Sequence, residues 1–152
     1  MALGTGSSLN AVYNELIRRY EKKALSFRNV VIFNAYEYYP LQKDSSIRTI
    51  NQLKERFLNH VDVEEQNIFT LDGFVAQDAV QDCCRLYEQR IKTFGGLDVA
   101  LIGIGRSGNI AANEPGSGLQ SATRLILIGN TSREEMEISE KTKESIPPCS
   151  LT

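Results

Sequence analysis

Short apolar runs alternate with amphipathic helical segments along this chain, and that alternation restricts the fold more than any other feature. The apolar runs cover residues 29–34, 67–71, 97–104 and 123–128, and helical spacing of apolar residues begins at Leu9 and recurs over residues 46–60 and 76–94. Strands separated by helices are typical of βαβ units, in which the strands run parallel in one sheet with helices on both faces. The sequence therefore predicts an α/β fold.

Two stretches lack this periodicity. Residues 35–44 contain Pro40, which prevents regular structure across the stretch, and residues 144–152 carry two prolines and form a predicted irregular tail. A charged segment, residues 132–143, is a candidate short helix. We predict a single domain over residues 1–152 with a Rossmann-like, three-layer parallel sheet and helices on both faces.

Composition and charge disfavour several classes of protein. The net charge is −2 and the pI is about 5.5, whereas a general nucleic-acid binder usually carries a basic excess. No apolar run approaches the roughly 20 residues of a membrane helix, and the first residues lack the charged-then-apolar pattern of a secretory leader, so we expect none. The three cysteines form no regular framework, which indicates reduced thiols. We expect a cytoplasmic protein that binds no nucleic acid and no membrane.

A loop of small and hydroxyl-bearing residues, Gly-Thr-Gly-Ser-Ser at positions 4–8, precedes the first helical segment. Small residues let backbone N–H groups approach an anion, and a helix start adds partial positive charge. The loop therefore suits a phosphate group. The alternative is a flexible start whose serines only cap the helix, since the loop follows Met1 so closely that no strand is expected before it.

A second glycine-rich loop, residues 103–108, fits the pattern G-x-G-x-x-G after a predicted strand. Taken alone, this pattern invites a dinucleotide-binding interpretation. That interpretation also requires an acidic residue near the end of the following strand, to hold the ribose hydroxyls. Here that strand ends in Gly129 and Asn130, so we disfavour a dinucleotide and expect no cofactor.

An ordered set of motifs carries a more specific resemblance. The motifs are Phe-Asn-Ala-Tyr-Glu-Tyr (33–38), Asn-His-Val-Asp-Val (59–63), Gly-Gly-Leu-Asp (95–98), Gly-Ile-Gly (103–105) and Asn-Glu-Pro-Gly-Ser (113–117). Over residues 2–133 their order and spacing resemble the glucosamine-6-phosphate deaminase family, which is related to the 6-phosphogluconolactonases. The resemblance implies a sugar phosphate as partner and an internal segment of a longer domain, incomplete at both ends. A homo-oligomer is one open alternative.

The reaction that the resemblance implies opens the sugar ring, moves a proton between C2 and C1, and releases ammonia to give fructose 6-phosphate. Each step needs a positioned acid or base. In this chain Tyr36 stands where the family has its C2-deprotonating aspartate, while Ser107 and Asn109 replace an aspartate and a histidine of the ring-opening loop. Only Glu114 is retained, so three of the four acid–base positions are replaced. Glu37 is a candidate substitute base, although an extended backbone would point it away from Tyr36.

The binding positions that the resemblance implies are better preserved. They are Thr5, Gly6, Ser7 and Ser8 for phosphate, Gly103, Gly105, Arg106 and Asn113 for the substrate loop, and Ser117 and Arg124 for an effector region. Arg106 could meet an anionic ligand or pair with a neighbouring carboxylate. Three functions stay open: a divergent deaminase, a sugar-phosphate-binding or regulatory module without turnover, and a structural remnant. No residue pattern predicts a metal site.

Overall fold

Seven strands and four α-helices lie within residues 1–140 and 144–152, the part of the chain that the computed structural model describes. In chain order they are β1 (Ala2–Leu3), α1 (Asn10–Glu21), β2 (Ile32–Asn34), β3 (Glu37–Tyr39), α2 (Thr49–Arg56), β4 (Ile68–Phe69), α3 (Val80–Thr93), β5 (Ala100–Leu101), β6 (Leu125–Leu127), α4 (Asn130–Glu140) and β7 (Cys149–Leu151). Short 3-10 turns at Ser7–Leu9 and Gln77–Ala79 lead into α1 and α3.

The first sheet is parallel and has the strand order β4-β2-β1-β5. Its register pairs Ala2 of β1 with Phe33 of β2 on one side and with Ala100 of β5 on the other. Phe33 in turn pairs with Phe69 of β4. The predicted α/β fold with a parallel sheet is therefore confirmed.

Helices cover both faces of this sheet. Neighbouring residues of a strand point to opposite faces, so the contacts of two successive residues in β2 show what lies on each side. Ile32 packs in one cluster with Tyr13 of α1 and Leu53 of α2, all of them almost fully buried. The next residue, Phe33, packs in a second cluster with Tyr87 of α3, ring against ring at 5.6 Å in an edge-on arrangement. The sheet is thus the middle of three layers.

A second sheet is antiparallel, with the order β3-β7-β6, and it corrects three predictions. The stretch 35–44 contains a strand, β3, which ends at Tyr39, immediately before Pro40. The tail 144–152, predicted to be irregular, contains β7, whose Leu151 pairs with both Glu37 and Leu125. The run 123–128 supplies β6 to this sheet instead of the parallel one. These pairings join distant segments, so local periodicity gives no sign of them.

Several boundaries also differ from the predictions. The loop at residues 4–8 does follow a strand, β1. The sequence contains no sign of this strand because it is only two residues long and is defined by its pairing with β2 and β5. The predicted helix 46–60 is divided into α2 and a 3-10 turn at Leu58–His60. Helix α4 begins at Asn130, and its predicted end at Lys143 lies outside the described residues. Within residues 1–140 and 144–152, no helix is long and apolar enough to cross a membrane.

Candidate functional site

A cavity of about 320 Å³ lies at the carboxyl ends of β1, β2 and β5, and we call it the sheet-end cavity. Segments that follow these three strands form its floor, and α4 closes one side. Its lining consists of Gly4, Thr5, Gly6, Ser7, Ser8, Tyr36, Gly103, Ile104, Gly105, Asn109, Ala111, Ser132, Glu135, Met136 and Ile138. Parallel α/β sheets bind their ligands at this edge, and the volume falls in the range of small-molecule sites.

The loop at residues 4–8 is held in place by bonds to its backbone. The amide of Gly4 donates to the carbonyl of Leu101 in β5 at 2.8 Å, and the Tyr13 hydroxyl donates to the carbonyl of Gly4 at 2.6 Å. The Arg56 guanidinium donates to the carbonyl of Thr5. The last two bonds engage the carbonyls of Gly4 and Thr5, and the Arg56 guanidinium adds a positive charge beside the loop without lining the cavity. This charge favours an anion at the loop.

Tyr36 brings the β2–β3 connection into contact with this loop. Its hydroxyl shares a hydrogen bond of 2.6 Å with the Oγ1 atom of Thr5, and both side chains are buried. The position where the family resemblance places a C2 base is therefore occupied by a phenol that is bonded to the loop predicted to bind phosphate. Thr5 is 1% exposed, whereas Ser7 and Ser8 are exposed at the cavity.

Ser107 and Asn109 form a closed hydrogen-bond network in the second glycine-rich loop. The Ser107 hydroxyl donates to Asn109 Oδ1 at 2.7 Å, and Asn109 Nδ2 donates to the carbonyl of Ala111 at 2.9 Å. A Cβ atom on Gly105 would lie 2.1 Å from Asn109 Oδ1, so a larger residue at this position would force the Asn109 side chain to move. Asn109 lines the cavity, and Ser107 stands behind it, 2.9 Å from the hydroxyl of Ser132 on α4.

Glu37 lies in the protein interior, outside the lining of the sheet-end cavity. It is 1% exposed and accepts hydrogen bonds from the backbone amide of Thr49 at 3.1 Å, from the Thr49 hydroxyl at 3.0 Å and from the Tyr38 amide at 3.0 Å. Burial raises the pKa of Glu37 to about 7, although the bonds from Thr49 and Tyr38 act in the opposite direction. The carboxyl therefore titrates in the core, on the side away from Tyr36.

The side chain of Glu114 contacts the residue before α4 and does not line the cavity. Its Oε1 atom accepts a hydrogen bond from the backbone amide of Gly129 at 2.8 Å. A carboxylate beside the first residues of a helix is favoured by the helix dipole. Glu114 therefore holds the beginning of the helix that closes the cavity.

The remaining predicted residues divide between the two loops and a second cavity. Arg106 is exposed, and its backbone amide, not its guanidinium, contacts the carboxylate of Glu135 at 2.9 Å. Asn113 donates to the Thr152 hydroxyl at 3.0 Å and accepts from Arg124 at 3.0 Å. Arg124 also donates to the Ser117 hydroxyl at 2.9 Å. Asn113 and Arg124 line a separate cavity of about 230 Å³ beside α3.

Helix α4 supplies lining residues that the sequence did not single out. Ser132, Glu135 and Met136 recur at spacings of three and four, which places them on one helix face, and Ile138 joins them at the cavity. That spacing was readable from the sequence. The neighbour that this face covers was not, because it belongs to loops folded from other parts of the chain.

Comparisons with known proteins agree with this arrangement. The model of a family described as glucosamine-6-phosphate isomerases/6-phosphogluconolactonase matches residues 1–140. A glucosamine-6-phosphate deaminase-like protein of Bacteroides thetaiotaomicron is 56% identical over 152 residues, which are the whole of this chain and 23% of that protein. Glucosamine-6-phosphate deaminase of Dictyostelium discoideum is 41% identical over 125 residues, covering 82% of this chain and 46% of the relative.

Solved structures show the same fold. A monomeric glucosamine-6-phosphate deaminase superposes with a TM-score of 0.88 at 32% identity, over 99% of this chain and 63% of that one. The 6-phosphogluconolactonase of Thermotoga maritima has a TM-score of 0.71 at 16% identity, over 99% of this chain and 61% of its own, and this likeness concerns the fold alone. The chain spans less than two thirds of the length of each of these four proteins.

Proposed function

The chain belongs to the glucosamine-6-phosphate isomerase/6-phosphogluconolactonase family, and from this premise we propose that it binds a sugar phosphate in the sheet-end cavity. The function is that of a glucosamine-6-phosphate deaminase-like protein of amino-sugar metabolism. One observation carries the proposal: the loop at residues 4–8, Tyr36 and Asn109 all line a single cavity at the carboxyl edge of the parallel sheet.

Phosphate recognition is supported by the chemistry of the loop at residues 4–8. Thr5, Ser7 and Ser8 bring hydroxyl groups to the lining, and α1 follows immediately, after a 3-10 turn at Ser7–Leu9. Hydroxyls and free backbone amides at a helix start are effective ligands for phosphate oxygens. The Arg56 guanidinium behind the loop adds positive charge without occupying the cavity.

Slow or absent turnover is the second part of the proposal. Ring opening and C2–C1 proton transfer need groups that exchange protons near neutral pH. Tyr36 and Asn109 stand at the two family positions that line the cavity. A phenol is a poor base near neutral pH, and an amide does not titrate. The site is therefore better suited to holding a sugar phosphate than to converting it.

A charge placed in the phosphate loop tests the binding site. Replacing Ser8 by glutamate should weaken binding of both glucosamine 6-phosphate and fructose 6-phosphate by about tenfold or more, because a carboxylate would face the phosphate. The fold should be preserved, since Ser8 is exposed and a negative charge is tolerated at a helix start. Isothermal titration calorimetry gives the dissociation constants.

The matched control for this experiment is Gln81→Glu. It creates the same residue at an exposed position in the first turn of α3, on the opposite face of the sheet. This variant should bind both sugar phosphates like the unaltered chain. Equal weakening in the two variants, or no binding by the unaltered chain, would contradict the assignment of the phosphate site.

A second candidate function is residual deamination, for which the family resemblance assigns a proton-transfer role to Glu114 although its side chain does not line the sheet-end cavity. If ammonia and fructose 6-phosphate form from glucosamine 6-phosphate, Glu114→Gln should lower the rate by about 10²- to 10⁴-fold, because an amide does not exchange protons. Glutamine can still accept the hydrogen bond from Gly129, so substrate binding should persist. An ammonia-release assay with Glu134→Gln as control measures this, and an unchanged rate would remove Glu114 from the mechanism.

A further inference from the structure

One carboxylate lines the sheet-end cavity among the residues that the structure describes, and it belongs to Glu135 of α4. Neither Glu37 nor Glu114, the two acids considered from the sequence, lines it. The Glu135 side chain is half-buried, and its Oε2 atom accepts a hydrogen bond from the backbone amide of Arg106 at 2.9 Å. This bond joins the carboxylate to the glycine-rich loop and fixes the orientation of the Glu135 side chain.

The cavity therefore has two chemically different regions. Backbone and hydroxyl donors of the loop at residues 4–8 favour an anion, whereas the Glu135 carboxylate only accepts hydrogen bonds and favours a cation or a donor. Apolar side chains supply much of the remaining lining: Ile104, Met136 and Ile138. In the described part of the chain, no lysine or arginine side chain lines the cavity, so nothing there offsets the negative charge of Glu135.

We propose that Glu135 makes the site selective for a sugar phosphate that also carries an amine. This inference rests on the proposed function, since it assumes that the phosphate occupies the loop at residues 4–8. An ammonium group on the sugar pairs with Glu135 while the phosphate binds the loop. A sugar phosphate with a hydroxyl in place of the amine leaves the carboxylate without a cation, and this lowers the affinity of that sugar phosphate.

The test compares two ligands that differ only in this group, glucosamine 6-phosphate and glucose 6-phosphate. Binding is measured by calorimetry at a pH of about 6, at which an aliphatic amine is protonated. The unaltered chain should bind the amino sugar about tenfold or more tightly than glucose 6-phosphate, since charged hydrogen bonds are the stronger ones. Glu135→Gln should weaken the amino sugar by about the same factor and leave glucose 6-phosphate unchanged or slightly tighter.

Glu134→Gln is the control, because Glu134 precedes Glu135 on α4 but is exposed and does not line the cavity. It removes the same charge from the same helix and should change neither affinity. Equal affinity of the unaltered chain for the two ligands, or an equal effect of Glu135→Gln on both, overturns the inference while leaving sugar-phosphate binding intact. Absence of binding for both ligands overturns the proposed function and the inference together.

Discussion

Glu37→Gln is expected to remove most of a decrease in the free energy of unfolding, of about 3 kcal/mol, that occurs in the unaltered chain as the pH rises. Burial raises the pKa of Glu37 to about 7 in the folded chain, against about 4.5 when it is exposed. The folded state therefore binds its proton more tightly than the unfolded state. The contribution of Glu37 to stability is complete below about pH 4.5 and is lost as the pH rises through about 7.

Glutamine mimics the protonated acid, which explains the expected result. Its oxygen can accept the bonds from the Thr49 and Tyr38 amides, and its nitrogen can donate to the Thr49 hydroxyl. The free energy of unfolding, measured with urea between about pH 5 and 8, should fall with pH in the unaltered chain and much less in the variant. Glu55→Gln, at an exposed helix position, serves as control. A slope that persists in Glu37→Gln would show that another group is responsible.

Asn34→Ala should lower the free energy of unfolding by about 3 to 5 kcal/mol. Asn34 is 2% exposed, and its amide joins four segments. Its nitrogen donates to the Tyr36 carbonyl and the Thr49 hydroxyl, both at 2.9 Å, and its oxygen accepts from the Leu71 amide at 2.8 Å and the Tyr87 hydroxyl at 2.9 Å. Alanine leaves buried partners without these bonds, and each unsatisfied group costs about 1–3 kcal/mol.

The measurement is urea unfolding followed by circular dichroism, with Asn51→Ala as the matched control. Asn51 is exposed on α2, where alanine favours the helix, so the control should be neutral or slightly stabilising. We also expect Asn34→Ala to weaken sugar-phosphate binding, because Asn34 fixes the backbone that carries Tyr36 into the cavity. A loss below about 1 kcal/mol would mean that water replaces the amide without cost.

Asn34 and Glu37 show how the core and the site depend on one another. Both bond to Thr49 at the start of α2, and Tyr36 lies between them in the sequence. Because successive side chains alternate along an extended backbone, Glu37 enters the core while Tyr36 faces the cavity. Core packing of this short segment therefore aims the side chain that contacts the phosphate loop.

Part of the candidate site could be anticipated from the sequence. The loops at residues 4–8 and 103–108 follow strands of a parallel sheet, so they meet at its carboxyl edge, as the general rule for such sheets requires. Tyr36 and Asn109 lie with them around one cavity. Glu114 and Glu37 do not line it, and α4 contributes Glu135 in their place. The catalytic and binding roles of all these residues stay predictions, which the ligand and ammonia measurements address.

By itself, the sequence determined the parallel α/β sheet and the helices that cover it, because apolar periodicity depends on near neighbours that local geometry brings to one face. It did not determine the short strands β1, β3 and β7, which are defined by their pairing partners. Only the tertiary structure decided that β7 pairs between β3 and β6, that α4 lies over the cavity, and that the pKa of Glu37 is raised to about 7. Each of these depends on contacts between residues far apart in the chain. Such contacts depend on how the whole chain packs, so they cannot be predicted from any short stretch of sequence.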